Sequence, residues 1–305
     1  MRRLAIPVLS LALLVGCSAR EPSAPTSATP SAEAPEPSAS TASPATKGYT
    51  FRLPIAAYSY SAADYEVIRS AEQVLARDCM KDFGLSYTPA TSPVPAPAPD
   101  RRYGLSDMAT AGRYGYRLPP EPAAPEPELT KDEAAVLYGK RSLGDSGRQD
   151  AKLEFRGREI PDQGCLGKAI LDFREPYEHP AGSRTASRIA TSSYQDSLKD
   201  PKVRAAVGAW SSCMRRKGYD YASPLDALET PAFRAGTVSG EEKETAVADV
   251  SCKRSTGLLD TWFDAEAAIQ KDMIAKDPEP LRKLDDMHRR KVSAAKEILA
   301  DARRR

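Results

Sequence analysis

From residue 49 onward the apolar residues recur mostly at helical spacing. Ser61-Ala-Ala-Asp64 has the form of an N-terminal capping box, and Ile68, Ala71, Leu75 and Cys79 follow it three and four apart. Asp200-Pro201 reads as an N-cap with proline at the first helical position, and Val203, Ala206, Val207, Trp210, Cys213 and Met214 then form one apolar face. Ser239-Gly-Glu-Glu242 opens a third helix, expected to run through Cys252 and on past Leu258, Trp262, Ile269 and Met273. Asp277-Pro278 starts a fourth, with Leu281, Leu284, His288, Val292, Ala295, Ile298 and Leu299 on one side. The short break before it predicts that the last two helices form an antiparallel hairpin. Strand signals are weak. Residues 152–155 and the Tyr-Gly stretch near Tyr103 and Tyr114 are the candidates.

One pattern occurs twice. "DCMKDFGLSY" begins at Asp78 and "SCMRRKGYDY" at Ser212, each with Cys-Met, Gly five residues after the Cys and Tyr eight after it. Helix termination explains most of it. Gly84 and Gly218 suit the left-handed C′ position, which places Met80 and Met214 at C3 and Leu85 and Tyr219 at C″. Lys81, Arg215, Arg216 and Lys217 fall in the final turns, where the helix dipole favours cations.

The N-terminal region differs in composition. Arg2 and Arg3 precede an apolar run from residue 4 to residue 15, too short for a permanent membrane span and in the form of a secretory signal. It ends in Leu14-Val15-Gly16-Cys17, which resembles a bacterial lipobox. That resemblance implies cleavage before Cys17, diacylglycerol on its thiol and anchoring to membrane lipid, to which each buried CH₂ contributes about 0.8 kcal/mol. Residues 18–47 are Ser, Ala, Pro, Thr and Glu without apolar periodicity, which predicts a disordered tether. Its reach is roughly 30 Å as a coil and up to about 90 Å as polyproline.

The expected organisation is therefore a signal peptide over 1–16, the lipidated Cys17 and tether over 17–48, a helical first half over 49–182 and a helical second half over 183–305. The fold class is mainly α: a disulfide-stapled helical domain with Pro-rich loops. "SPVPAPAPD" (92–100) and "PPEPAAPEPE" (119–128) supply those loops. Between them lie Tyr103, Tyr114 and Tyr116, a candidate aromatic surface for sugar rings, or alternatively tyrosines that pack a loop onto a helix.

Besides Cys17 there are four cysteines, Cys79, Cys165, Cys213 and Cys252. An even number in an exported chain implies disulfides, and four allow three pairings. The expected pairing joins Cys79 to Cys165 and Cys213 to Cys252, one staple in each half. No Cys has a second Cys two residues on, as a redox pair would, and His179 and His288 are far in sequence from any Cys, unlike a zinc site.

Charge narrows the partners. Of 44 Lys+Arg, two lie in the leader, so the mature chain is balanced against 42 Asp+Glu, which argues against a nucleic-acid binder. Arg289-Arg290-Lys291 and Arg303-Arg304-Arg305, on or after a helix, read as a solvated helix end, with anionic lipid headgroups as the sharper alternative. "GDSG" (144–147) matches four residues of the trypsin-like nucleophile segment. Arg148-Gln149 follows instead of Gly-Pro and both histidines come after Ser146, so a polar turn is the better reading. The chain has no P-loop, His-Glu-x-x-His or dinucleotide-binding glycine pattern, and no cofactor is implied. Asp285-Asp286 and Glu241-Glu242 read as helix starts or solvated faces.

Trp210, Cys213-Met214, Gly218 and Tyr221, with Ala246, Ala248-Asp249-Val250 and Cys252-Lys253, together with the lipobox and Ser/Pro tether, look like secreted lipoproteins of high-GC actinobacteria such as streptomycetes. The resemblance implies an extracytoplasmic, lipid-anchored protein and carries over no active site. The function expected is a non-catalytic binding or accessory protein of the cell envelope, its partner an envelope protein or cell-wall glycan. The alternative is an extracytoplasmic enzyme of unrecognised type acting on cell wall; a cleft gathering Asp or Glu with His179 or His288 would count against the binding reading, which expects an exposed apolar or aromatic patch.

Overall fold

The computed structural model describes residues 51–89, 100–120, 128–140, 152–234 and 236–305. Cys17, the leader, the tether, the 144–147 segment and most of both proline-rich stretches lie outside them. Among the described residues are eleven α-helices: α1 (Ala62–Asp82), α2 (Met108–Tyr114), α3 (Lys131–Tyr138), α4 (Gly164–Arg174), α5 (Pro180–Ser197), α6 (Pro201–Arg216), α7 (Pro224–Leu228), α8 (Pro231–Arg234), α9 (Gly240–Ser255), α10 (Leu258–Lys276) and α11 (Glu279–Arg304). A 3-10 turn, Pro54–Tyr58, precedes α1. The only sheet among the described residues is a two-stranded hairpin, β1 (Glu154–Phe155) with β2 (Arg158–Glu159), turned by Arg156 and Gly157 at positive φ.

The helix ends follow local chemistry. Ser61 and Asp64 form the reciprocal capping box, and Asp200 caps α6 by accepting from Lys202 and Val203. Both Cys-Met helices stop in a full Schellman motif. Gly84 and Gly218 take φ +70° and +90°. The C″ amides of Leu85 and Tyr219 donate to the Met80 and Met214 carbonyls at 3.1 and 3.0 Å, and the C′ amides of Gly84 and Gly218 donate to Lys81 and Arg215 at 2.8 and 3.0 Å.

The third predicted helix is two helices. Gly257 adopts φ +63° and separates α9 from α10. The terminal hairpin is also not formed. α10 and α11 each pack on α5 rather than along one another. The pairwise packings run α3–α4–α1–α11–α5–α10–α6–α9–α2. Hence α11, from the second half of the chain, lies on α1 from the first, and α2 lies on α9. The two sequence halves are interleaved within one compact unit. The Tyr-Gly stretch is not a strand: Asp107 caps α2 there, accepting from Thr110 at 2.7 Å.

Both expected disulfides are present. Cys79–Cys165 joins α1 to α4 with Cα atoms 5.6 Å apart, and Cys213–Cys252 joins α6 to α9 with Cα atoms 5.7 Å apart. Each sits in a core cluster, the first with Met80, Val136 and Leu137, the second with Trp210, Met214 and Trp262. Loops of 86 and 39 residues correspond to about 4–5 kcal/mol each on the chain-entropy account. The first staple depends on a close backbone crossing. Gly139, which ends α3, and Gly164, which begins α4, both have positive φ, and a Cβ on either would collide with the other segment's backbone.

Candidate functional site

Three groups of buried charges hold the helices together. On α9, the Asp249 and Lys253 side chains are fully buried and 3.0 Å apart. The Trp210 indole N–H donates to Asp249 at 2.9 Å, and the Lys253 ammonium donates to the Leu105 carbonyl at 3.0 Å. Burial pushes Asp249 up and Lys253 down, while each partner pulls the other back toward its charged form. On α10, the fully buried Glu266 accepts from Arg102 Nε at 2.9 and 3.0 Å, from the Tyr103 hydroxyl at 2.8 Å and from Ser193 at 2.8 Å. Gln270, one turn on, donates to Ser193 and Glu266 and accepts from the Ile55 amide. On the first turn of α9, Glu242 is buried, accepting from the Tyr116 amide at 3.1 Å and pairing with Arg117. All three clusters tie residues 101–117 to α9 and α10. Their carboxylates are closed in by protein donors, so they read as internal staples rather than solvent-facing chemistry.

The ionisable groups that do face solvent together lie elsewhere. An open cleft of about 440 Å³ runs between the start of α1 and the middle of α11. From α11 it receives Asp285, His288, Arg289 and Lys296, residues that share one face because they recur three, four and seven apart. Opposite them are Arg52, Ser59, Tyr60 and Asp64. The Tyr60 ring lies on the His288 imidazole with centroids 4.0 Å apart, and Tyr65 meets Tyr60 edge-on at 5.4 Å. Burial, then the neighbouring Tyr65, Asp64 and Glu72, push the Tyr60 hydroxyl up to about 12. It is therefore a protonated donor at neutral pH. Burial also holds the His288 imidazole below its ordinary range, and the Asp285 carboxylate opposes this only in part.

The two cleft carboxylates are already engaged. Asp64 accepts from the Ser61 amide at 3.0 Å and from its hydroxyl at 2.6 Å, bonds that hold its carboxyl below the usual range. Asp285 is paired with Arg289 one turn on. Arg52 and Lys296 form no salt bridge among the described residues. A second, apolar hollow of about 210 Å³ lies between Leu198, Val203, Val207, Leu225 and Trp262.

The aromatic surface expected from Tyr103, Tyr114 and Tyr116 is not there. Tyr103 is fully buried, packed between Phe51 and Trp262, and Tyr116 is buried against Phe233. Tyr114 is half-buried under the Arg113 guanidinium. Tyr103 and Tyr116 pack the 101–117 segment onto α9 and α10. Glu242 stands at the helix start expected of it, though buried, and Lys291 lies in the middle of α11 rather than at a solvated helix end. Lys291 is buried, 3.7 Å from Glu72 and over the Phe173 ring. His179 caps α5 by accepting from the Gly182 amide at 2.9 Å. Among the described residues no group of three or more His, Cys, Asp or Glu is placed to hold a metal ion.

Sequence reasoning missed Arg102 with Glu266, which lie 164 residues apart, and no local signal marks that pair. The Asp249–Lys253 pair was detectable as an acid and a base one helical turn apart, flanking Cys252. The fold and its staples define a disulfide-linked helical domain. No protein-family model, no curated protein and no solved structure matches this chain.

Proposed function

We propose that the protein is a lipid-anchored lipoprotein on the extracytoplasmic face of a cell membrane, whose helical domain binds a ligand or envelope partner and does no chemistry of its own. The observation that carries the location is the pair of core disulfides, because such bonds persist in oxidising compartments. No described helix is long and apolar enough to cross a membrane, so on this reading attachment falls to the acylated Cys17 and the following Ser/Pro tether. Support for a binding role is the cleft along α11, which is open to solvent while both its carboxylates are held by neighbouring donors. Replacing Cys17 with Ser is the test. The variant is expected to leave the membrane fraction, and its retention there after a high-salt wash would overturn lipid anchoring.

A specific observation favours a second reading, an extracytoplasmic enzyme. Asp64, Asp285 and His288 meet in one cleft, and His288 is uncharged at neutral pH and able to accept a proton. Product release from cell-wall fragments that disappears with His288→Gln would establish it. The binding reading expects no product from either protein.

A further inference from the structure

We infer that the α1–α11 cleft is a binding site for a small anion bearing a phosphate or carboxylate group. The inference rests on the binding role proposed above and names the class of ligand. Charge carries it. Arg52 from the chain entering the domain and Lys296 from α11 both face the cleft; Arg52 forms no salt bridge among the described residues, and Lys296 forms no close one but acts through space on the Asp64 carboxylate. Arg289 is shared with Asp285 and Lys296 with Asp64, itself turned toward its own helix cap, so the excess positive charge falls to Arg52. Three cations against two carboxylates line the wall, an excess of one positive charge.

Hydrogen-bond donors complement that charge. The Tyr60 hydroxyl remains protonated, and Ser59 adds a hydroxyl to the lining. A phosphate or carboxylate needs such a mixture of cations and neutral donors. A neutral sugar would leave the cations unmatched, and a cation would meet repulsion from Arg52 and Lys296. The volume, about 440 Å³, suits a small ligand or a single headgroup rather than a polymer.

Two sources present this chemistry, a free anion or the headgroup of an anionic lipid, and the experiment separates them. Full-length protein in neutral detergent micelles is titrated calorimetrically with inorganic phosphate, with citrate, with glucose as the neutral control, and with micelles doped with phosphatidylglycerol. Binding of phosphate or citrate, and not glucose, is expected for a free anion. Binding confined to doped micelles is expected for a headgroup. Arg52→Gln and Lys296→Gln should each weaken binding about fivefold, the upper range for an exposed ion pair, and added NaCl should weaken it further. Both side chains are exposed, and an unchanged thermal melt of each variant verifies the fold. Heat from glucose equal to that from citrate, full affinity in the double variant, or no binding of any anion would overturn the inference. None of these results bears on anchoring, which fails only if the Cys17→Ser protein stays in the membrane.

Discussion

Removing the ammonium of Lys253 exposes how the buried ions contribute. Lys253→Met deletes the bonds to Asp249 and to the Leu105 carbonyl, both 3.0 Å long. It leaves a carboxylate with no solvent exposure, hydrogen-bonded only by the Trp210 indole N–H. Breaking one partner of such a pair costs about 3–5 kcal/mol. Asp249→Asn strands the ammonium against a single carbonyl and should cost a similar amount. The double variant carries no buried charge, and Asn can still accept from Trp210. Its cost is expected to be about 1–3 kcal/mol, set by the unpaired Leu105 carbonyl and the new amide. The pair should therefore couple by at least about 2 kcal/mol. Urea unfolding of the oxidised full-length protein, followed by tryptophan fluorescence, measures all four species. A pH series adds a sign. In Lys253→Met the folded pKa of Asp249 rises above its unfolded value, so that group's contribution is present at low pH and lost as pH rises through the folded value. The variant should then lose more stability, relative to the parent, at pH 7 than at pH 5. A cost for Lys253→Met below about 1 kcal/mol, or additive single variants, would refute the account of Asp249–Lys253 as a desolvated ion pair.

Gly139→Ala should destabilise by about 3 kcal/mol or more, since it combines a left-handed φ with a collision against the 162–164 backbone. Gly218→Ala, where the added Cβ meets open space, should cost only about 1–2 kcal/mol. Equal melting temperatures for the two variants would show that the α3–α4 crossing is looser than described. His288 titrates in the cleft beside Tyr60, Asp285, Arg289 and the buried Lys291. Because burial lowers its folded pKa, the unfolded chain binds the proton first. Stability should fall as pH drops below the unfolded value of about 6.5. His288→Gln should flatten that part of the stability curve, and parallel curves for parent and variant would rule out this source of pH dependence.

Much of the helix content was legible because helix ends are written in a few adjacent residues. The Ser61–Asp64 box, the Asp200-Pro201 start and the two Schellman stops at Gly84 and Gly218 use groups within six residues of one another. Backbone geometry alone brings such groups together. Gly257 shows the limit of this reading. Apolar periodicity runs across it, but its positive φ breaks the helix. That disulfides form was legible from the even count of cysteines, and of the three possible pairings the structure has the one that places a staple in each half.

By itself, the sequence determined the helical class, most helix starts and stops, and the presence of cysteine staples, because each depends on local chemistry or on a small number of thiols. Tertiary structure alone decided which helices are neighbours. It placed α5 against both α10 and α11, and set α11 on α1. It also decided which polar residues are internal. Glu266 and Glu242 carry the same local pattern as solvated glutamates, yet Arg102 and Arg117 arrive from more than a hundred residues away to meet them. The cleft has the same origin. Arg52, Tyr60 and Asp64 face His288 and Lys296 because α1 packs along α11. That packing follows from Ile68, Ala71 and Ala295 closing on a shared apolar seam. Periodicity reveals such a seam on each helix, but not its partner.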